Sequence, residues 1–171
     1  MRSDYISDDV MSHILSALTY ENRLAIIVSC VTGLRINDVL NLRTNQIKER
    51  FTITEEKTLK HKLVKLPGTL VDELLAIAGK IYVFENRLDA RKHRTRQAVY
   101  KDIKRASKAF RIKLNVSCHT ARKIYAVKQY KRTCSLERVQ ELLNHSDEAV
   151  TIIYALADEL TEQKNNLKRR K

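Results

Sequence analysis

Apolar residues recur at helical spacing through most of the chain. Ser7 is placed to cap a helix running to about Leu18, with Val10, Ile14, Ala17 and Leu18 on one stripe. A second helix, from about Glu21 to Val31, carries Leu24, Ala25, Ile27, Val28 and Val31, and Thr32-Gly33 interrupts it. A short helix with Val39, Leu40 and Leu42 facing inward follows. The period then changes. Phe51-Thr52-Ile53-Thr54 is β-prone and Lys62-Leu63-Val64-Lys65-Leu66 alternates, which predicts a small antiparallel sheet turning around residues 57–61. Pro67-Gly68 ends it, and helical spacing resumes in Leu70, Leu74, Leu75 and Ile77.

Residues 81–84 read as a short extended piece, and a basic loop runs from Asn86 to Arg96. The helix after it divides by face. Val99, Ile103, Ala106 and Phe110 fall on one side, and Lys101, Lys104, Arg105 and Lys108 on the other. Further helices are expected near residues 119–132, 136–144 and 148–156, before a basic tail at 164–171. No repeat or linker-like stretch divides the chain, so residues 1–171 read as a single domain, mainly α with a small antiparallel β-sheet.

Composition agrees and adds one functional clue. Three Gly and one Pro among 171 residues leave few breaks, which favours helices over a sandwich or barrel. No apolar run is long enough for a membrane span, and no signal-peptide pattern opens the chain. Cys30, Cys118 and Cys134 are odd in number and lack metal-ligand spacing, which fits reduced thiols in a cytoplasm, without disulfide or zinc. Lys and Arg number 33 against 20 Asp and Glu, a net charge of +13. Such an excess points to a polyanionic partner, because neutralising phosphates releases condensed counterions. The loop residues Arg87, Arg91, Lys92, Arg94 and Arg96 and the helical face Lys101, Lys104, Arg105 and Lys108 are the candidate DNA contacts.

Four separated segments carry the candidate chemistry. The first is Thr32-Gly33-Leu34-Arg35-Ile36-Asn37-Asp38-Val39-Leu40. The second is Glu56-Lys57-Thr58-Leu59-Lys60, followed by Lys62-Leu63-Val64-Lys65-Leu66-Pro67. The third is His119-Thr120-Ala121-Arg122, whose i, i+3 spacing puts His and Arg on one helix face. The fourth is Leu142-Leu143-Asn144-His145-Ser146, with Tyr154 nine residues beyond the His. Each alone is a common pattern; their order and spacing together are not. Over roughly residues 15–155 the chain resembles the catalytic domain of the tyrosine recombinase, or phage integrase, family. Asn144 stands where that family usually has Gly, and Asn is the next-best residue for a left-handed turn.

The resemblance implies the family's catalytic fold and its metal-independent, cofactor-free chemistry. Arg35 and Arg122 would grip the nonbridging oxygens of a DNA phosphate, with His145 as a further donor. Tyr154 would be the nucleophile, giving a 3′-phosphotyrosyl ester and a free 5′-hydroxyl. Lys57 matches the family's general acid to the departing 5′ oxygen, with Lys60 near enough to be the residue instead. His119 would assist as general base or orient the phosphate, and Asp38 matches a carboxylate that steadies the site. The expected activity is site-specific recombination on a mobile element, on double-stranded DNA and with self-association as dimer or tetramer. Relaxation of DNA in the manner of a type IB topoisomerase, or a basic regulator that has lost catalysis, are the alternatives. Family integrases also carry an N-terminal core-binding domain, expected to be absent here because the chain begins almost at the first catalytic-domain helix. A fragment and a minimal recombinase both fit that beginning.

Overall fold

The structure, a computed structural model, describes residues 3–144. The expected helix at 148–156, the basic tail, His145 and Tyr154 lie outside the described residues. Among those described, the order is α1 (Asp8–Ala17), α2 (Tyr20–Thr32), α3 (Ile36–Leu40), β1 (Arg50–Thr54), β2 (His61–Lys65), α4 (Gly68–Ile77), α5 (Arg96–Ala109), α6 (Cys118–Thr133) and α7 (Leu136–Leu143). The mainly helical reading with one two-stranded antiparallel sheet holds. The chain forms two compact units, Met1–Tyr125 and Ala126–Lys171. The division falls inside α6, where neither Gly nor Pro marks it.

In the first unit the core is aliphatic, built on Ile14, Leu24, Val28, Leu34, Val39, Leu40, Leu74, Val99, Ile103 and Ile124, each at most 5% exposed. Ser7 caps α1 by accepting from the Val10 amide. Buried polar groups fix how the helices meet. The Asp102 carboxylate on α5 accepts from the Thr19 amide and, at 2.8 Å, from the Asn22 side chain, tying α5 to the start of α2. Val83 donates to the Leu42 carbonyl and Tyr82 bridges Arg43, so the short extended piece is pinned beside the chain leaving α3.

Phe110 departs from the expected inward face. It follows the last residue of α5, Arg111 turns left-handed at φ 53°, and the ring ends 44% exposed beside His13. Helical phase does not carry past the point where the backbone leaves the helix.

In the second unit Ser135 caps α7 through the Arg138 amide, and Val139 and Leu143 are buried. Asn144 ends α7 at φ 52°, ψ 28°. The left-handed turn that usually takes Gly is therefore made by Asn, whose short polar side chain tolerates it.

Candidate active site

Gly33 closes α2 with φ 68°, and its amide donates to the Ser29 carbonyl. A side chain there would be strained by that conformation and would collide with the Tyr125 ring, so two constraints select glycine. The turn delivers Arg35 to the cap position of α3. From α6, Arg122 reaches back and donates to the Gly33 carbonyl. The two arginines, far apart in sequence, thus meet at one turn.

Both converge on Glu55, which is completely buried just past β1. The Arg35 guanidinium donates to Glu55 Oε2 at 3.2 Å, and the Arg122 guanidinium lies 3.9 Å from Oε1. Lys62 Nζ, on β2, also lies 3.9 Å from Oε1 and 5.7 Å from the centre of the Tyr125 ring. Asp38 accepts from the Glu56 amide at 2.9 Å, joining α3 to the sheet turn. Burial pushes the Asp38 carboxyl above its ordinary range, a tendency that the Glu56 hydrogen bond opposes.

Sheet geometry explains why Glu55 and Lys62 point inward. Ile53 pairs with Lys62 across the antiparallel ladder, and both strands alternate exposed and buried positions. Glu55 shares the parity of Phe51 and Ile53; Lys62 shares that of Val64 and Leu66, while Leu63 is turned out at 58% exposure. Neither Glu55 nor Lys62 was among the candidates read from the sequence; strand parity marks both as inward-facing but does not show what they meet there.

Burial, reinforced by repulsion from Arg122 and Arg35, holds the Lys62 amine down at about 8; Glu55 opposes the shift. The unfolded chain keeps the ordinary value of 10.5, so between about pH 8 and 10.5 it binds more protons than the folded protein. Stability contributed by this site must then rise with pH across that window. Relative to Lys62→Met, the protein should gain stability from pH 8 to 10, read from denaturant unfolding at each pH. Parallel curves for the two proteins would contradict the burial argument.

Lys57 lies in the exposed β1–β2 turn, and Lys60 is exposed just beyond it. The Thr58 hydroxyl donates to Glu55 Oε2 at 2.9 Å and so ties this turn to the arginines. His119, one turn before Arg122, is exposed, and Arg96 approaches its Nε2 at 3.3 Å. An open cleft beside these groups is lined by Asn37, Glu56, His93, Arg96, Tyr100 and Ser117. Arg35, Asp38, Lys57, His119 and Arg122 are thus gathered in the first unit. His145 and Tyr154 fall outside the described residues.

The basic residues proposed as DNA contacts divide into two sorts. Arg87, Lys101 and Lys108 are exposed, as are Arg91 and Lys92, which pair with Asp89. Others are committed within the fold. Arg94, 11% exposed, pairs with Glu21 and donates to Asn22; Arg105 is held by Asp102; Lys104 donates to Asn115 at 2.7 Å.

No helix among the described residues is long and apolar enough to cross a membrane. Comparison with known proteins gives a consistent picture. Residues 4–160 match the model of the phage integrase family. A tyrosine recombinase of Thermosipho africanus is 33% identical over 88% of this chain, and a probable integrase/recombinase of Bacillus subtilis, YoeC, is 29% identical over 76%. The chain spans 56% of the Thermosipho protein and 74% of YoeC. Among solved structures, a lambda integrase dimer bound to a core site superposes with a TM-score of 0.73, covering 89% of this chain and 48% of that one, at 20% identity. The XerH recombinase bound to its difH substrate gives 0.70 over 86% of this chain and 48% of that one, at 19% identity. The shared fold, the conjunction of Arg35, Arg122 and the Lys57 turn, and a family match over residues 4–160 lead to one conclusion: the chain belongs to the phage integrase family.

Proposed function

We propose that this chain is the catalytic domain of a site-specific DNA recombinase that breaks and rejoins DNA through a phosphotyrosyl ester on Tyr154. The observation that carries the proposal is the meeting of Arg35 and Arg122 at one buried carboxylate, with the Lys57 turn bonded to the same group. Two guanidinium forks oriented before substrate arrives can stabilise charge developing on the nonbridging phosphate oxygens. Tyr154 Oη attacks phosphorus, the bond to the 5′ oxygen breaks, and Lys57 protonates the departing oxygen. His119 and His145 orient the phosphate or assist the proton's departure from the tyrosine. Resealing reverses these steps, and the ester conserves the energy of the bond broken. Like its DNA-bound relatives, the chain would pair with further copies on double-stranded DNA, and it would work in the cytoplasm on a mobile element.

The direct test is incubation with nicked duplexes of randomised sequence, scored for covalent protein–DNA adduct under denaturing conditions. Adduct is expected; its absence at every sequence would refute the proposal. Lys57→Ala should cleave slowly but recover on a duplex whose bridging 5′ oxygen is sulfur, because a thiolate leaves without a proton. Recovery of Lys60→Ala instead would transfer the role to Lys60.

Affinity for DNA should fall steeply with salt, with a log–log slope of about −0.9 per phosphate neutralised. Lys101 and Lys108 are exposed on α5 and, among the described residues, not tied to a carboxylate. Reversing both to Glu should flatten the slope by about 1.8 if each neutralises one phosphate. An unchanged slope, measured by titration at several salt concentrations, would remove this face of α5 from the interface.

A further inference from the structure

Glu55 is the buried group that this chemistry has not yet used. Its carboxylate is 0% exposed, and it is met by Arg35, Arg122 and Lys62. Three cations around one carboxylate would be repulsive without it, and a carboxylate without them would be too costly to bury. The two oxygens are employed differently. Oε2 accepts both the Arg35 guanidinium at 3.2 Å and the Thr58 hydroxyl at 2.9 Å. Oε1 has no hydrogen-bond partner among the described residues and faces Arg122 and Lys62, each 3.9 Å away. The backbone of Glu55 is itself fixed, since its amide donates to the Lys60 carbonyl and its carbonyl accepts from the Leu59 amide.

We infer that Glu55 is a positioning residue for strand cleavage: it holds the Arg35 and Arg122 forks and, through Thr58, the turn carrying Lys57 in one frame. The inference rests on the functional reading above. A second consequence follows from charge. Glu55 is an internal anion beside the cations that must take the phosphate, so it weakens phosphate binding while it orders the binders. Removing its charge should therefore separate binding from chemistry, a result that a merely structural role does not give.

The test uses the full chain and a nicked duplex recovered from the randomised pool by its adduct with the unmodified protein. With Glu55→Gln, the rate of adduct formation at saturating DNA should fall about 100-fold, the scale of losing one preorganised donor, while affinity is unchanged or tighter. Thr58→Val cuts the link from Glu55 to the Lys57 turn and, within that turn, the hydroxyl's longer contact with the Lys60 amide at 3.5 Å. Its rate should fall about 10-fold, less than the roughly 100-fold or more that general-acid catalysis contributes because the acid is displaced rather than removed, and return to normal on the 5′-sulfur duplex. Glu55→Gln should recover only in part there, because its arginines are displaced too. If Glu55→Gln does not fold cooperatively, Thr58→Val alone decides. Rates within about 2-fold of normal for both variants, alongside an inactive Arg122→Ala, would overturn the inference and leave the function standing. So would a Thr58→Val defect that sulfur does not relieve, or a loss of affinity and thermal stability in step with rate. A fully active Arg122→Ala would instead bring down the functional reading itself.

Discussion

Tyr154→Phe is expected to abolish the covalent protein–DNA adduct while leaving DNA affinity and folding unchanged. The substitution removes one oxygen and nothing else, so the ring can pack as before and the nucleophile alone is lost. No other group can form the ester in its place without itself reaching phosphorus. Tyr125, one of the two other tyrosines near the motif segments, is only 7% exposed, with its ring against Gly33 and below Lys62. Tyr130 is half-buried. Adduct formation can be followed on nicked duplexes by gel mobility after denaturation. An adduct persisting in Tyr154→Phe would move the nucleophile to one of these residues and undo the assignment.

Arg122→Ala should show the other large effect, and it should show it twice. Loss of one preorganised donor to the phosphate slows cleavage by about 100- to 1,000-fold. Stability should fall as well, because Arg122 is 1% exposed, donates to the Gly33 carbonyl and faces the Glu55 carboxylate. Breaking one partner out of a buried charge cluster costs about 3–5 kcal/mol, here moderated because Arg35 and Lys62 remain beside Glu55. Arg122→Lys separates the two losses. It restores charge but not the planar fork, so stability should recover further than cleavage does. Denaturant unfolding and adduct kinetics on the same preparations check both. Equal recovery of the two would mean that charge alone, and not bidentate geometry, serves the reaction.

Local signals explain which features could be read in advance. The helices were legible because apolar spacing recurred along the chain and, as at Ser7 before α1, a cap agreed with it. Arg35, Lys57, His119 and Arg122 stood out as residue types at fixed spacings, and the structure brings Arg35, Arg122 and the Lys57 turn to one carboxylate; their catalytic roles are the proposal that the variants above test. The Asn144 turn was legible because few residues accept its conformation. Glu55 and Lys62 were not, for a physical reason. Charged residues in a short amphipathic sheet look solvated by default, and only tertiary packing brings three cations around one acid. Arg94 and Arg105 show the opposite: both were named as candidate DNA contacts, and the structure adds internal partners that the sequence does not reveal. In the sequence they are part of a basic surface, but Glu21 and Asp102, distant or on the same helix, engage them. Charge counts report how much positive potential a chain carries; they do not report which cations are already bonded internally.

The bond from Arg122 to the Gly33 carbonyl spans 89 positions of sequence, and the cluster that it completes also needs the sheet turn folded between them. Closing so long a loop costs entropy that only the completed core offsets. Attraction to DNA has no such requirement, because exposed lysines and arginines act on a polyanion whether or not the chain around them is folded. A nascent or damaged copy should therefore still cling to DNA but be unable to break it. Under the proposed function, strand scission would in this way be conditional on a finished fold, and an incompletely folded copy would bind DNA without cutting it.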